Sequence, residues 1–219
     1  MELYEKVELS KLVIRHAVAF YGRIFVACSF GKDSRVLVDL AMQVDPGIPF
    51  VGIDTGYEFP ETLEFAGRLV AETGMNFRWA RPPAEDRLRI EAEFGDAWVR
   101  NDRYKCCEMK LPALAPVLAC HDGWITGLRR DENLFRRNIP VIETTTPVKV
   151  NALAFWTKED IWRYIEEKGL RYHPLYDSGY ASLGCRPCTR PEASHGVGER
   201  AGRFAGTANE GQECGLHVG

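Results

Sequence analysis

Residues 23–44, RIFVACSFGKDSRVLVDLAMQV, hold the pattern that decides the fold. Arg23 to Cys28 is an apolar run of strand length, and Ser34 to Val44 repeats its apolar residues at helical spacing. Between them Ser29-Phe30-Gly31-Lys32-Asp33-Ser34 is a short glycine-containing loop that runs straight into the helix. A strand, a tight loop and a helix begin a β-loop-α unit. In a parallel sheet built from such units, ligands bind outside the carboxyl ends of the strands. Backbone N–H groups in the turn, the positive end of the helix and Lys32 together form an anion cradle.

Reading outward, the alternation continues. A helix is expected over residues 8–21, before the first strand. After residue 44 come a strand at 49–53, a loop at 54–59, a helix opened by proline at 60–73 and a short strand at 76–80. Helical patterns follow at 84–94 and 103–119, then strands at 124–126 and 139–142. A helix over 157–168 has Thr157 as its N-cap, Asp160 three residues on and Gly169 as its stop. The expected fold class is α/β, a doubly wound and mainly parallel sheet with helices on both faces. From Asp177 onward regularity falls and Gly, Pro, Cys and Arg dominate. The expected organisation is a nucleotide-binding α/β domain over 1–195 that carries a metal site, and a mobile catalytic tail over 196–219.

The 219 residues are 45% hydrophobic, enough to bury one sizeable core, and the formal net charge of −3 gives no general affinity for nucleic acid or an anionic membrane. No basic segment leads into an apolar run at the start and no apolar stretch is long enough to span a bilayer, so a cytoplasmic protein is expected. Seven cysteines, an odd number with Cys106 and Cys107 adjacent, argue against a disulfide framework and for reduced thiols, metal ligation or catalysis.

Cys106-Cys107 and Cys185-x-x-Cys188 make four thiolate donors, a set that suits zinc or an iron–sulfur centre. Adjacent ligands are awkward for a tetrahedral zinc knuckle and easier on the larger spread of an iron–sulfur cube, which favours the latter. Cys28, on a strand, and Cys120, at an apolar helix end, fit buried structural thiols instead. Lys105, Lys110, Arg186 and Arg190 flank the four donors with positive charge. Cys214, in Glu-Cys-Gly-Leu-His near the C-terminus with glycines at 206, 211 and 215, suits a mobile nucleophile whose thiolate nearby arginines or His217 would favour. The second loop, with Asp54, Thr55 and Gly56, offers a carboxylate and a small turn that could bracket a ribose or base.

The loop at 29–34 resembles the pyrophosphate loop of the adenine nucleotide α-hydrolase superfamily. The later segments, Cys106-Cys107, 124–132, 177–191, Arg200-Ala201-Gly202-Arg203-Phe204 and 213–217, resemble the sulfonucleotide reductases, in particular the cluster-containing adenylyl-sulfate (APS) reductases. The resemblance implies a [4Fe–4S] cluster on Cys106, Cys107, Cys185 and Cys188, with Lys110 as the lysine linking cluster and substrate. It implies phosphate binding by residues 29–34, transition-state stabilisation by Lys32 and by Arg129 or Arg130, and ordering of the tail by Arg200 and Arg203. It also implies attack by Cys214 on the sulfur of adenylyl sulfate, with thioredoxin or a similar thiol releasing sulfite. Two departures stand out. Cys-Cys-Glu-Met-Lys-Leu-Pro is less basic than the family pattern, and Lys32-Asp33-Ser34 is closer to ATP-cleaving relatives. The alternatives are therefore a reductase of the 3′-phosphorylated substrate (PAPS) or of both, a PP-loop ATP pyrophosphatase in a thiolation reaction, and a nucleotide-sensing iron–sulfur protein without turnover. Cys214 discriminates, since neither of the last two needs a nucleophile on the tail.

Overall fold

The computed structural model describes residues 1–191 and 199–206. In chain order its regular elements are α1 (Leu3–Phe20), β1 (Ile24–Ala27), α2 (Lys32–Val44), β2 (Phe50–Ile53), α3 (Pro60–Thr73), β3 (Phe77–Ala80) and α4 (Ala84–Phe94). They continue with β4 (Val99–Arg100), β5 (Arg103–Tyr104), α5 (Lys105–Glu108), α6 (Lys110–Ala119), β6 (Gly123–Thr126), β7 (Ile142–Glu143), β8 (Val148–Asn151) and α7 (Lys158–Glu167). Single-turn 3₁₀ segments at 134–136, 174–176 and 186–188 complete the set.

Six strands form one sheet in the order β3-β2-β1-β6-β8-β7. β1 pairs in parallel with β2 and β6, β6 in parallel with β8, and the short edge strand β7 runs antiparallel to β8. The α/β class is confirmed. The chain works outward from β1 to β3 and then returns to the other side of β1, so the strand order reverses between β1 and β6. In open sheets of this kind ligands bind at such a switch point, which here lies at the loop after β1 and the loop after β6.

The chain divides into two compact units. One comprises residues 1–52, 65–78 and 118–173, the other 53–64, 79–117 and the described residues from 174 on. The first unit has its core where the sheet meets the helices, with Phe25, Leu37, Leu40, Ile125, Val150 and Trp156 fully buried. Burial of polar atoms there is compensated. The Trp156 indole donates to Ser10 Oγ at 2.9 Å, and that hydroxyl donates to the Ala152 carbonyl at 2.7 Å. The second unit is built around two small clusters, one of Tyr104, Cys106, Cys185, Cys188 and Phe204, the other of Ile90, Phe94 and Met109, and Tyr57 packs against both.

Three expectations need correction. The helix expected over 103–119 is in three pieces: β5, α5 and α6. Asn101 and Asp102, at φ 49° and 62°, turn the chain between β4 and β5, and left-handed residues at both central positions are what a tight hairpin requires. The strand expected at 139–142 is the shorter β7, and β8 is an additional strand. β8 alternates Val148 and Val150 with Lys149 and Asn151, yet the polar pair is buried too. Lys149 pairs with Glu143 at 3.1 Å, and Asn151 donates to Glu143 and accepts from the Thr126 hydroxyl. Thirdly, Cys120 is exposed, one residue beyond α6, so its place at an apolar helix end did not bury it. Cys28 is buried as expected.

A candidate anion cradle and a candidate metal centre

In the first unit, the loop between β1 and α2 is held from below. Phe30 adopts φ 60° and sends its ring into the core, edge-on to Phe77 at 5.1 Å and to Phe65 at 6.5 Å. Its contribution to the cradle is therefore its backbone. The Ser29 amide donates to Ser34 Oγ at 3.0 Å and the two hydroxyls lie 2.9 Å apart, which closes the loop on itself. Gly31 is the N-cap of α2 and has no side chain to cap it, which leaves the first turn of a thirteen-residue helix facing the loop.

Lys32 is 1% exposed and Arg129, from the loop after β6, 0%. Asp33 lies between them, accepting from Lys32 Nζ at 2.8 Å and from Arg129 Nε at 2.5 Å. Burial opposes its ionisation, but the charges of Lys32 and Arg129 outweigh burial and hold its carboxyl below the usual range. Arg129 also donates to Asp131 at 3.2 Å. Arg130 points elsewhere: its Nε donates to the Ile139 carbonyl at 2.8 Å and its guanidinium lies over the Phe155 ring at 4.5 Å. Lys32, Asp33 and Arg129 thus form one buried constellation at the switch point, a fixed cationic frame with a carboxylate at its centre.

In the second unit, Cys106 and Cys107 arrive on α5, and Cys185 and Cys188 on the 3₁₀ turn at 186–188. Cys106, Cys185 and Cys188 are 0%, 1% and 2% exposed. The thiols bond to one another. Hydrogen bonds with Cys107, Cys185 and Cys188 push the Cys106 thiol up, while those from Cys106, Cys107 and Cys185 pull Cys188 below the usual thiol range. Arg203 Nη2 lies 3.7 Å from Cys188 Sγ, and its Nη1 donates to the Leu183 carbonyl at 2.8 Å. The bond with Cys106 and, to a smaller extent, the charge of Lys110 favour the thiolate of Cys185, but the bond with Cys188 and burial outweigh them and push this thiol up to about 12. Four converging thiols, three of them buried and Cys107 partly so, faced by two cations, fit a thiolate-ligated metal centre. A cavity of about 460 Å³ opens beside Cys188, lined among others by Trp98, Tyr104, Arg186, Arg190 and Phe204.

The segment leading to the tail is pinned to this centre. Phe204 N–H donates to the Cys188 carbonyl at 3.0 Å and Arg190 N–H to the Gly202 carbonyl at 2.9 Å, with Thr189 and Arg203 in a β-bridge. A side chain at Gly202 would place its Cβ 2.0 Å from the Arg190 carbonyl oxygen, so only glycine allows this approach. Arg200 accepts the Arg203 N–H through its carbonyl at 2.8 Å and so shapes the turn. Cys214 and His217 lie outside the described residues.

In the second unit, the 54–62 loop, expected as a nucleotide bracket, is held by its own contacts. Asp54 accepts from the Gly56 amide and from Arg81, both at 2.9 Å, and Gly56 takes φ 81°. Buried Thr55 lies 3.5 Å from Cys185 Sγ and donates to Glu58 at 3.0 Å. Tyr57 donates to Glu91 at 2.5 Å. The Thr55–Cys185 and Tyr57–Glu91 contacts were not visible in the sequence, because each spans a long separation.

The model for the phosphoadenosine phosphosulfate reductase domain matches residues 23–191. An adenosine 5′-phosphosulfate reductase of Geobacillus kaustophilus is 40% identical over 214 residues, covering 94% of this chain and 88% of the relative. An adenosine 5′-phosphosulfate reductase 1 of Bacillus subtilis is 38% identical, covering 94% and 89%. Among solved structures, the phosphoadenylyl-sulfate reductase of Candida auris in its phosphate complex superposes with a TM-score of 0.70 at 24% identity, covering 83% of this chain and 90% of that one, a likeness of fold. With the nucleotide-type sheet, the buried cationic frame and the four gathered cysteines already in place, these matches show that the chain belongs to the phosphoadenosine phosphosulfate reductase domain family.

Proposed function

We propose that this protein reduces adenylyl sulfate to sulfite and AMP with electrons from an external dithiol of the thioredoxin kind, in the cytoplasm, as a step of sulfate assimilation. The observation that carries this is the convergence of Cys106, Cys107, Cys185 and Cys188 into one cluster, in a chain whose relatives at 38–40% identity are named for that substrate. Reductases of the 3′-phosphorylated substrate remain the second reading, supported by the family match and the fold neighbour.

The chemistry needs a sulfur nucleophile, an anion site for the leaving phosphate and a second thiol. The loop amides at 29–34, Lys32 and Arg129 are the anion site. They are fixed before substrate arrives, so charge developing on the bridging oxygen and phosphate meets preorganised donors. Carried beyond the turn that Arg200 and Arg203 shape, the Cys214 thiolate attacks the sulfate sulfur. A sulfur–sulfur bond forms, the bridging sulfur–oxygen bond breaks and its electron pair leaves with AMP. A thiolate of the donor next attacks Cys214 Sγ, expelling sulfite with the sulfur–sulfur pair. The donor's second thiol resolves the mixed disulfide and regenerates Cys214. His217 supports the Cys214 thiolate.

Cys106, Cys107, Cys185 and Cys188 would hold a [4Fe–4S] cluster, which supplies structural order and an electrostatic field, since the dithiol already supplies both electrons. Lys110 is the cation through which that field reaches the substrate. Mixing the protein with adenylyl sulfate in the absence of thiol tests the intermediate: intact-mass and peptide analysis should place one sulfonate on Cys214 with release of one equivalent of AMP. Unmodified Cys214 alongside released AMP, or AMP release by Cys214→Ser, would contradict it.

A further inference from the structure

Cys106-Cys107 and Cys185/Cys188 are separated by residues 108–184, and neither pair sits on an element that can hold itself. α5 has four residues and the 3₁₀ turn three, both too short for independent helical stability. A thiolate centre needs its ligands prepositioned, so something must fix the distance between the two segments.

Glu91 is joined to both. It sits on α4, an eleven-residue helix anchored by buried Ile90 and Phe94. On one side its carboxylate pairs with Lys105, the residue immediately before Cys106. Lys105 is 6% exposed, its Nζ also donates to the Gly95 carbonyl at 2.8 Å, and its backbone N–H donates to the Trp98 carbonyl at 3.0 Å. The first residue of α5 is thereby tied to α4 and to the start of the β4–β5 hairpin. On the other side Glu91 accepts from the Tyr57 hydroxyl at 2.5 Å. The Tyr57 carbonyl accepts the backbone N–H of Arg186, which lies between Cys185 and Cys188, at 2.9 Å. The Tyr57 and Trp98 rings meet edge-to-face at 4.7 Å and close the loop of contacts. Thr55 and Glu58 lie beside Cys185, at 3.5 and 3.3 Å, and Arg203 lies beside Cys188 at 3.7 Å.

We propose that Glu91 is a positioning residue that, through Lys105 on one arm and Tyr57 on the other, sets the separation of the two cysteine pairs for a single metal centre. This rests on the reading of the four cysteines as one iron–sulfur site. Outer partners of this kind commonly change metal affinity by about 10–100-fold when removed.

The test uses the iron-loaded protein under anaerobic conditions, comparing wild type, Glu91→Gln, Tyr57→Phe and, as a control on the same helix, Glu93→Gln, whose carboxylate pairs with Arg103 at the surface at 3.5 Å. Iron and sulfide per chain and the rate of iron transfer to a chelator are measured, together with the melting temperature of each protein after iron removal. The expected result is release at least about tenfold faster in Glu91→Gln and Tyr57→Phe, with iron-free melting temperatures like that of Glu93→Gln. Release at the wild-type rate in both variants would overturn the proposal. So would faster release matched by an equal loss of iron-free stability, the signature of a merely structural role. Wild-type protein that takes up no iron and sulfide would instead overturn the cluster reading on which the proposal rests.

Discussion

Asp33→Asn isolates the cationic frame at the switch point. The substitution keeps the side-chain shape but removes the charge between Lys32 and Arg129, which are 1% and 0% exposed. Removing one partner of a buried ion pair costs about 3–5 kcal/mol, and because the Asp33 side chain is 18% exposed the lower end applies, about 3 kcal/mol. For a chain of this size each kcal/mol moves the melting temperature by about 2–4 °C, so the expected loss is roughly 6–12 °C at pH 7. The native carboxyl is held below its usual range, so the stabilisation it gives is complete above the unfolded value near 3.9 and is lost as pH falls through the native value. The gap between wild type and Asp33→Asn is therefore constant from about pH 5 to 8 and closes below about pH 4. Phosphate should act in the opposite sense. With Asp33 replaced by a neutral amide the frame of Lys32 and Arg129 carries one more net positive charge and binds phosphate more tightly, so saturating phosphate raises the melting temperature of Asp33→Asn more than that of wild type. Scanning calorimetry across pH, with and without phosphate, reads all three effects. Equal stability at pH 7, a gap that widens as pH falls, or a smaller phosphate response in the variant would each refute the assignment of this carboxylate.

Gly202→Ala should break the pairing of 202–204 with 188–190, because its Cβ meets the Arg190 carbonyl oxygen at 2.0 Å; limited proteolysis after residue 190 and loss of bound iron report it. Gly67→Ala, on the exposed face of α3 with open space around it, should instead raise stability by about 0.5–1 kcal/mol in urea unfolding. Brief iodoacetamide treatment of the native protein at pH 8 should modify exposed Cys120 and spare Cys28. Burial pushes the Cys28 thiol up to about 12 and leaves roughly one part in ten thousand as thiolate; peptide mapping checks the contrast. Thr157→Ala removes the hydroxyl that accepts from the Asp160 amide at 3.2 Å, and should lower the melting temperature by about 2–4 °C.

What the sequence disclosed depended on how local the determining interactions are. The β1-loop-α2 unit was legible because an apolar run, a glycine cap and a helical period lie next to one another in residues 23–44. The same holds for α7, where Thr157, Asp160 and Gly169 mark both ends. β8 was hidden because its polar residues are satisfied by Glu143 and Thr126, partners that periodicity cannot reveal. The break in the 103–119 region was written in Asn101-Asp102, a turn signal outweighed by the helical pattern after it. At the site, residue type announced the four cysteines and the basic loops. Asp33 as the carboxylate joining Lys32 to Arg129, Thr55 beside Cys185, and the Tyr57–Glu91–Lys105 chain were not legible, since each depends on contacts that only the folded chain makes.

Sulfite and AMP formation by anaerobically purified, iron-loaded protein with reduced thioredoxin, measured on adenylyl sulfate and separately on its 3′-phosphorylated form, tests the proposed function most directly. Stoichiometric sulfite and AMP from adenylyl sulfate, abolished in Cys214→Ser, is the expected result. No sulfite from either substrate, with iron and sulfide confirmed in the sample, would contradict it.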